Sequence, residues 1–327
     1  MNINEIASLA GVSRATVSRF LNNGYVSEEK KERIRKVIEE TGYQPSSQAQ
    51  MLRTKKTKLV GVILPKINSD TISREVAGIS DVLSKRGYQL ILANTNNNLE
   101  EELKYLSLFR DNQVDGVVLI ATMFTRKHKQ MLKECKVPVV ILGQRLEGYP
   151  CIYQDDYQAA FMMTEKLLEH GKNIAYIGIT DKDEAVGARR RKGFEAALHK
   201  NKLSISPEYM KIGNFTMESG YEMARELFSA HKEIDSLICV TDTMAVGAMN
   251  YIKEIGLQIP EDVQVVGIGD GSLGKIIDPK LTTVHFFYKT SGMEAAAMLA
   301  DLMETEGGIR KEIKMGCEIV LRNSHRQ

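Results

Sequence analysis

Ile3-Asn4-Glu5-Ile6-Ala7-Ser8-Leu9-Ala10-Gly11-Val12-Ser13-Arg14-Ala15-Thr16-Val17-Ser18-Arg19-Phe20-Leu21-Asn22 decides how the N-terminal region folds. Ile6, Leu9 and Ala10 recur at helical spacing, Gly11 can end that helix in a left-handed residue, and Ser13 can cap a second helix by accepting an orphan amide hydrogen. The spacing therefore predicts two short helices at a steep angle. On the second, Val17, Phe20 and Leu21 share one face, whereas Arg14, Ala15, Ser18, Arg19 and Asn22 fall on the other.

That outer face has the chemistry of a groove reader. Arginine pairs bidentately with guanine O6 and N7, asparagine suits adenine, and the Ala15 methyl can meet a thymine methyl. Ser13, Thr16 and Ser18 are short hydroxyl donors suited to phosphate. A third helix is expected from Ser27, with Glu28 and Glu29 in its first turn, Ile34, Val37 and Ile38 turned inward, and Gly42 as its stop. Ordinary surface polarity would explain the same residues, but the charge is not evenly spread. Residues 1–58 carry 11 Lys and Arg against 6 Asp and Glu, while the chain as a whole is only +2. The basic excess sits with the motif, as phosphate binding requires.

After Gly42-Tyr43-Gln44-Pro45 comes Ser46-Ser47-Gln48-Ala49-Gln50-Met51-Leu52-Arg53, which has a cap and good helix formers but too little length to be stable alone. Such a segment folds only when docked. Ala49 permits close approach to a second copy, and Leu52 can wedge into a minor-groove base step. A plain linker is the alternative, and Thr54-Lys55-Lys56-Thr57-Lys58 has that character.

Ile6-Ala7, Ala10-Gly11-Val12-Ser13, Thr16-Val17-Ser18-Arg19, Leu21-Asn22 and Gly42-Tyr43-Gln44-Pro45 together resemble the lac repressor (LacI/GalR) family of bacterial transcription regulators. The resemblance extends over essentially the whole chain. It implies base reading by Arg14, Ala15 and Arg19, phosphate contacts by Ser13, Thr16, Ser18 and Asn22, pairing of two hinge helices through Ala49, and minor-groove insertion by Leu52. It further implies that Tyr25 lies in a loop able to approach the major groove.

From Leu59 onward, buried-strand runs alternate with amphipathic stretches: Leu59 to Leu64, Tyr88 to Ala93, Val114 to Ile120, Val137 to Leu142, Ile174 to Ile179, Leu237 to Val240 and Val263 to Ile268. This alternation predicts α/β architecture with doubly wound parallel sheets, whose ligands bind beyond the carboxyl ends of the strands. The family adds two subdomains of periplasmic-binding-protein type, joined by three crossovers placed near Asp156, Phe287 and Glu318. The expected organisation is a helix-turn-helix domain over 1–45, a hinge helix and linker over 46–58, and an effector-binding and dimerisation domain over 59–327. Within the last, the N-subdomain takes about 59–156 and 288–317, and the C-subdomain about 157–287 and 318–327.

Several strand-end positions are candidates for lining the cleft. Arg190 matches the family's R-x-x-G-F arginine, whose planar fork donates to two neighbouring hydroxyls. Phe215 falls where the family stacks an aromatic on a sugar. Asp242 and Asp270 suit bidentate acceptance of sugar hydroxyls, although either could instead cap the following helix. Asn68 and Thr241 complete the expected set together with Gln144 and Phe286, which supply a polar and a stacking group. The chain departs from the commonest family pattern in having Gly143 and Gly269 where Asp is usual, Thr241 where Asn is usual, and Phe286 where Gln is frequent. Absent side chains at the two glycines widen the cleft, consistent with a disaccharide-sized ligand. Leu142-Gly143-Gln144-Arg145, Tyr153-Gln154-Asp155-Asp156-Tyr157 and Leu281 to Gly292 look like sucrose operon repressors, leaving open whether the sugar is phosphorylated.

Composition narrows the alternatives. The 327 residues, 43% hydrophobic, suffice for a sizeable core. No run approaches a bilayer span and the N-terminus has no signal-peptide core, so a cytoplasmic protein with no membrane partner is expected. Cys135, Cys151, Cys239 and Cys317 lack zinc or C-x-x-C spacing, so reduced thiols and no metal are expected. There is no phosphate loop, no H-E-x-x-H, no G-x-S-x-G elbow and no dinucleotide fingerprint in Gly267-Ile268-Gly269-Asp270-Gly271, so neither an enzyme nor a cofactor is expected. The expected partners are double-stranded operator DNA, a sugar effector and a second copy of the chain, with no heptad tail to build a tetramer. The expected function is repression of a carbohydrate-utilisation operon. A global or trehalose-type regulator of the same family, and a non-regulatory α/β sugar binder, are the alternatives.

Overall fold

The computed structural model describes residues 1–22, 24–43, 56–111, 114–305 and 310–327. Two compact units divide the chain, Met1–Thr57 and Lys58–Gln327. Ala49 and Leu52 lie outside the described residues.

The first unit holds α1 (Ile3–Leu9), α2 (Arg14–Leu21) and α3 (Glu28–Thr41). Asn2 starts α1 through a reciprocal cap: its Oδ1 accepts from the amides of Asn4 and Glu5, while Glu5 Oε2 accepts from the Asn2 amide at 3.1 Å. Gly11, at φ +62°, makes the turn, and Ser13 Oγ accepts from the Thr16 amide at 3.2 Å to start α2. Gly42, at φ +61°, stops α3. Ile6, Ala7, Ala10, Val17 and Ile34 form the buried core. Leu9, expected inside, is 60% exposed, because the inward stripe of α1 runs through Ile3, Ile6, Ala7 and Ala10 and leaves position 9 on its flank. Ser27 precedes α3 in extended conformation but makes no side-chain cap.

In the second unit, β1 (Leu59–Leu64), α4 (Asp70–Leu83), β2 (Gln89–Asn94), α5 (Leu99–Arg110), β3 (Gly116–Ile120), α6 (Arg126–Glu134), β4 (Val139–Leu142) and β5 (Cys151–Gln154) build one half. The chain then passes to the other half through α7 (Asp156–Leu168), β6 (Ile174–Ile179), α8 (Arg190–Lys200), β7 (Met210–Gly213), α9 (Met217–Ala230), β8 (Ser236–Cys239), α10 (Asp242–Glu254), β9 (Gln264–Val266), α11 (Ser272–Ile276) and β10 (Thr283–Phe286). It returns with α12 (Tyr288–Glu304) and β11 (Glu312–Met315), and crosses once more into β12 (Cys317–Val320).

The first sheet is parallel throughout, in the order β11-β5-β4-β3-β1-β2, and the second is parallel in the order β7-β6-β8-β9. The central strands β1, β3, β4, β6 and β8 are near-continuous buried runs because helices cover both faces, whereas the edge strands β2, β7 and β11 stay partly exposed. The architecture is thus a helix-turn-helix unit followed by two α/β subdomains with parallel sheets, the fold class read from the sequence. The second and third passages lie side by side, since β10 pairs antiparallel with β12 through Thr283 and Val320, and Phe286 and Cys317. The third passage falls at Gly316, slightly ahead of the expected Glu318.

Helices of each half cross at backbone contact. A Cβ on Gly78 would lie 2.0 Å from the Lys289 carbonyl oxygen and one on Gly292 2.1 Å from that of Glu75, so α4 and α12 meet through reciprocal glycines. Gly220 and Gly247 do the same for α9 and α10, with a Cβ on Gly247 falling 1.9 Å from the Met217 carbonyl oxygen. Replacing Gly247 by Ala must push these helices apart, and Gly247→Ala should cost about 1–3 kcal/mol in a urea unfolding series. An unchanged midpoint would refute the close crossing.

Candidate nucleic-acid interface and effector cleft

Arg14, Ala15 and Arg19 are all exposed on α2, and Tyr25 beyond it is 89% exposed. Three ion pairs form within α3, Lys31 with Glu28 at 2.6 Å, Lys36 with Glu40 at 3.9 Å, and Arg35 with Glu32. Neither Arg14 nor Arg19 forms an ion pair with any described residue, so both guanidinium groups remain available to an external anion. Ser13 Oγ and Thr16 Oγ1 share a hydrogen bond at 2.9 Å. The Asn22 amide donates back to the Ser18 carbonyl at 2.5 Å, which holds Asn22 against its own helix. The face foreseen from the sequence therefore exists, with its arginines outermost and its short polar groups tied locally.

In the second unit, a cavity of about 440 Å³ lies between the halves, within the size range of small-molecule sites, about 300–1,000 Å³. Asn68, Gly143 and Gln144 line it from the first half, and Arg190, Phe215, Thr241, Asp242 and Gly269 from the second. Phe215 is half-buried, one side on the cavity and the other on the core. Gly143 and Gly269 have φ of +89° and +139°, so backbone conformation as well as space favours glycine at both.

Arg190 is only 3% exposed. Its Nε and one terminal nitrogen each lie 2.8 Å from Asp156 Oδ1, and the other terminal nitrogen donates to the Val240 carbonyl. The Phe286 ring stacks 5.3 Å from the guanidinium carbon. Burial opposes this charge, but Asp156 and the Tyr288 hydroxyl outweigh it and keep the guanidinium firmly protonated. Arg190 is thus a strut between the first passage, the end of β8 and the start of α12, with part of its edge on the cavity.

Asp242 does not cap α10. Thr241 does, its Oγ1 accepting from the Met244 amide at 3.3 Å, while Asp242 accepts from the Thr283 hydroxyl at 2.5 Å and the Gly271 amide at 2.6 Å. Burial pushes its carboxyl up to about 6.

Two expected lining residues are placed elsewhere. Asp270, at φ +50°, turns its carboxylate away from the cavity toward His285 at 2.9 Å, Lys275 at 3.2 Å and Arg322. Burial opposes ionisation there, yet hydrogen bonds from Arg322, His285 and Lys275 hold the carboxyl below its ordinary range. Phe286 is fully buried, because alternation along β10 points it into the core beneath Arg190. Gln144 lines the cavity, but its amide already donates to the Thr122 carbonyl and to Asp183 Oδ1 at 3.4 Å.

The sequence reading missed Glu75, Gln154, Asp156, Asp183 and Tyr288, all of which line the cavity. A signal existed for Glu75, which shares the apolar stripe of α4 with Ile72 and Ile79. Glu75 is 3% exposed and its Oε2 has no hydrogen-bond partner. Burial pushes its carboxyl up to about 8, against an ordinary 4.5. Asp183 is pushed up to about 6, again by burial. Among the described residues, no group of His, Cys, Asp or Glu has a metal-holding arrangement.

The raised carboxyl of Glu75 fixes a pH dependence. Between its ordinary value and the folded one, the native state holds a proton that the unfolded chain has lost, so stability falls as pH rises through that window. Glu75→Gln removes the effect and should stabilise the ligand-free protein at pH 8.5 by on the order of 1–2 kcal/mol, with a smaller gain at pH 5. Thermal melts showing the same change at both pH values would contradict the burial of an uncompensated carboxyl.

Comparison with known proteins follows the same division of the chain. Residues 2–46 match the family model "Bacterial regulatory proteins, lacI family", and residues 57–320 match "Periplasmic binding proteins and sugar binding domain of LacI family". The chain is 33% identical to the sucrose operon repressor of Staphylococcus xylosus over 304 residues, 93% of this chain and 94% of that protein. It is 32% identical to catabolite control protein A of Priestia megaterium over 310 residues, covering 94% and 93%. Among solved structures, the transcriptional regulator CelR–cellobiose complex aligns with a TM-score of 0.75 at 28% identity, covering 99% of each chain. The lac repressor dimer bound to operator and the anti-inducer ONPF shares the fold, with a TM-score of 0.90 at 22% identity over 99% of this chain and 98% of that one. Among the described residues, no helix is long and apolar enough to cross a membrane. The chain belongs to the LacI family of bacterial transcription regulators, DNA-binding proteins that carry out no catalysis.

Proposed function

We propose that this protein is a homodimeric repressor of a carbohydrate-utilisation operon, released from its operator by a disaccharide such as sucrose bound between the two halves of its second unit. The observation that carries the proposal is that one chain joins α2, with Arg14 and Arg19 unpaired among the described residues, to a cleft walled by both halves of an α/β unit. Similarity to a sucrose operon repressor and to a cellobiose-bound regulator supports the sugar class.

One three-helix unit offers few base contacts, so two copies would place their α2 helices about 34 Å apart on a pseudo-palindrome. Strand β2 is an edge of the first sheet and exposes Ile91 and Leu92, which supports a second copy covering that region. Ala49 and Leu52 would carry hinge pairing and minor-groove insertion. Sugar touching both walls favours one angle between the halves, and its preference between states sets the change in DNA affinity. The near-equal similarity to catabolite control protein A supports a second possibility, a global carbon regulator with many operators.

Selection from random duplex DNA with the full-length protein should yield a two-fold-symmetric consensus, and sucrose should release it in a gel shift. Arg14→Ala and Arg19→Ala should each weaken the consensus duplex by about 1–3 kcal/mol at fixed salt and relax base preference at one position per half-site. No enrichment of any sequence would overturn the regulator. Retention of the duplex across a panel of sugars would overturn the sugar control. Many unrelated genomic sites would favour the global regulator.

A further inference from the structure

We infer that the cleft selects an uncharged sugar, which donates a hydroxyl hydrogen to Gln154 Oε1, and that it rejects the phosphorylated form of the same sugar. The inference rests on the cleft being a sugar site, and names the chemical class that the site takes.

Gln154 is 3% exposed and lines the cavity, and its orientation follows from its neighbour. Ser291 Oγ donates its only hydrogen to the Phe287 carbonyl at 2.9 Å, so it accepts from Gln154 at 2.7 Å, which makes the near atom of Gln154 its amide nitrogen. The carbonyl oxygen is therefore the free end, and Oε1 has no hydrogen-bond partner. Glu75 Oε2 is the second unpartnered buried oxygen on the same side. Buried polar atoms left unmatched cost stability, so Gln154 Oε1 calls for a donor from the ligand and the Glu75 carboxyl for a hydroxyl, which can accept as well as donate.

The opposite wall also offers acceptors. Asp183 and Asp242 line it, and Asp242 spends both oxygens on Thr283 and Gly271. Of the two lining cations, Arg190 is already committed to Asp156 and Val240, which leaves Lys66 at the rim. Helix N-termini ordinarily attract phosphate, and those of α4 and α10 open on the cavity. Asp70 and Asp242 stand in their first turns, so each already has a carboxylate of the protein beside it. A phosphate would thus meet acceptors and negative charge where it needs donors, whereas a sugar hydroxyl meets what it can satisfy.

Calorimetric titration of the full-length protein with sucrose and sucrose 6-phosphate, and with trehalose and trehalose 6-phosphate, tests this. In the pair that binds, the parent sugar should bind at least about tenfold more tightly than its ester, and Asp183→Asn should narrow that gap. Gln154→Met should weaken the parent sugar by about tenfold or more through loss of the acceptor. An ester that binds as well as its parent, or better, overturns charge selection while leaving a sugar-controlled regulator intact. Should no sugar of either pair bind a protein that still holds its selected duplex, sugar control falls and the inference falls with it. If Gln154→Met fails to fold, the parent-to-ester ratio in the unmodified protein decides alone.

Discussion

A guanidinium shut away from water can stay charged only if its surroundings supply an opposite charge and hydrogen-bond acceptors, and at Arg190 they do so with one carboxylate and two neutral oxygens drawn from three separate parts of the chain. Asp156 opens the helix that follows the first passage between the sheets, Val240 ends a strand of the second half, and Tyr288 begins the helix after the second passage. Breaking such a pair by removing one partner leaves an isolated buried charge, which is far more costly than the net worth of the pair. The two passages are therefore fixed relative to β8 by one cation, and the cavity takes its shape around it. Arg190 is as much the framework of the cleft as part of its surface.

Around that strut the remaining polar groups divide into satisfied and unsatisfied. Asp270 is saturated by Arg322, His285 and Lys275, and so belongs to the scaffold that ties the β10 and β12 ribbon to the second half. Glu75 and Gln154 are left short of a partner on the cavity wall. Burying such groups costs the empty protein stability, which a matching ligand restores.

Much of the architecture was legible because it rests on local rules. The Ser13 cap, the turn at Gly11, the stop at Gly42 and the apolar runs of β1 and β6 each follow from a few neighbouring residues. Side-chain direction in the cleft does not. Position at a strand end tells which loop Asp270 occupies, but its partner Arg322 is 52 residues away and turns the carboxylate outward. Phe286 was misplaced for the same reason, since strand alternation sends it inward beneath Arg190. Glu75 is masked by the apolar stripe it shares with Ile72 and Ile79, and Gln154 stands at the end of β5, where sequence alone does not tell which side chain enters the cavity.

The reciprocal glycines of α4 with α12, and of α9 with α10, bring helix backbones into direct contact with no side chains between them to yield. Each crossing stiffens its half toward a plate, and the chain passes between the halves at short joints before Asp156, before Tyr288 and at Gly316. A guest held between two such plates acts as a shim. Its thickness, more than the strength of its grip, sets the tilt handed on to whatever is attached to the first half, so two guests of equal affinity but unequal bulk would leave the molecule in different postures.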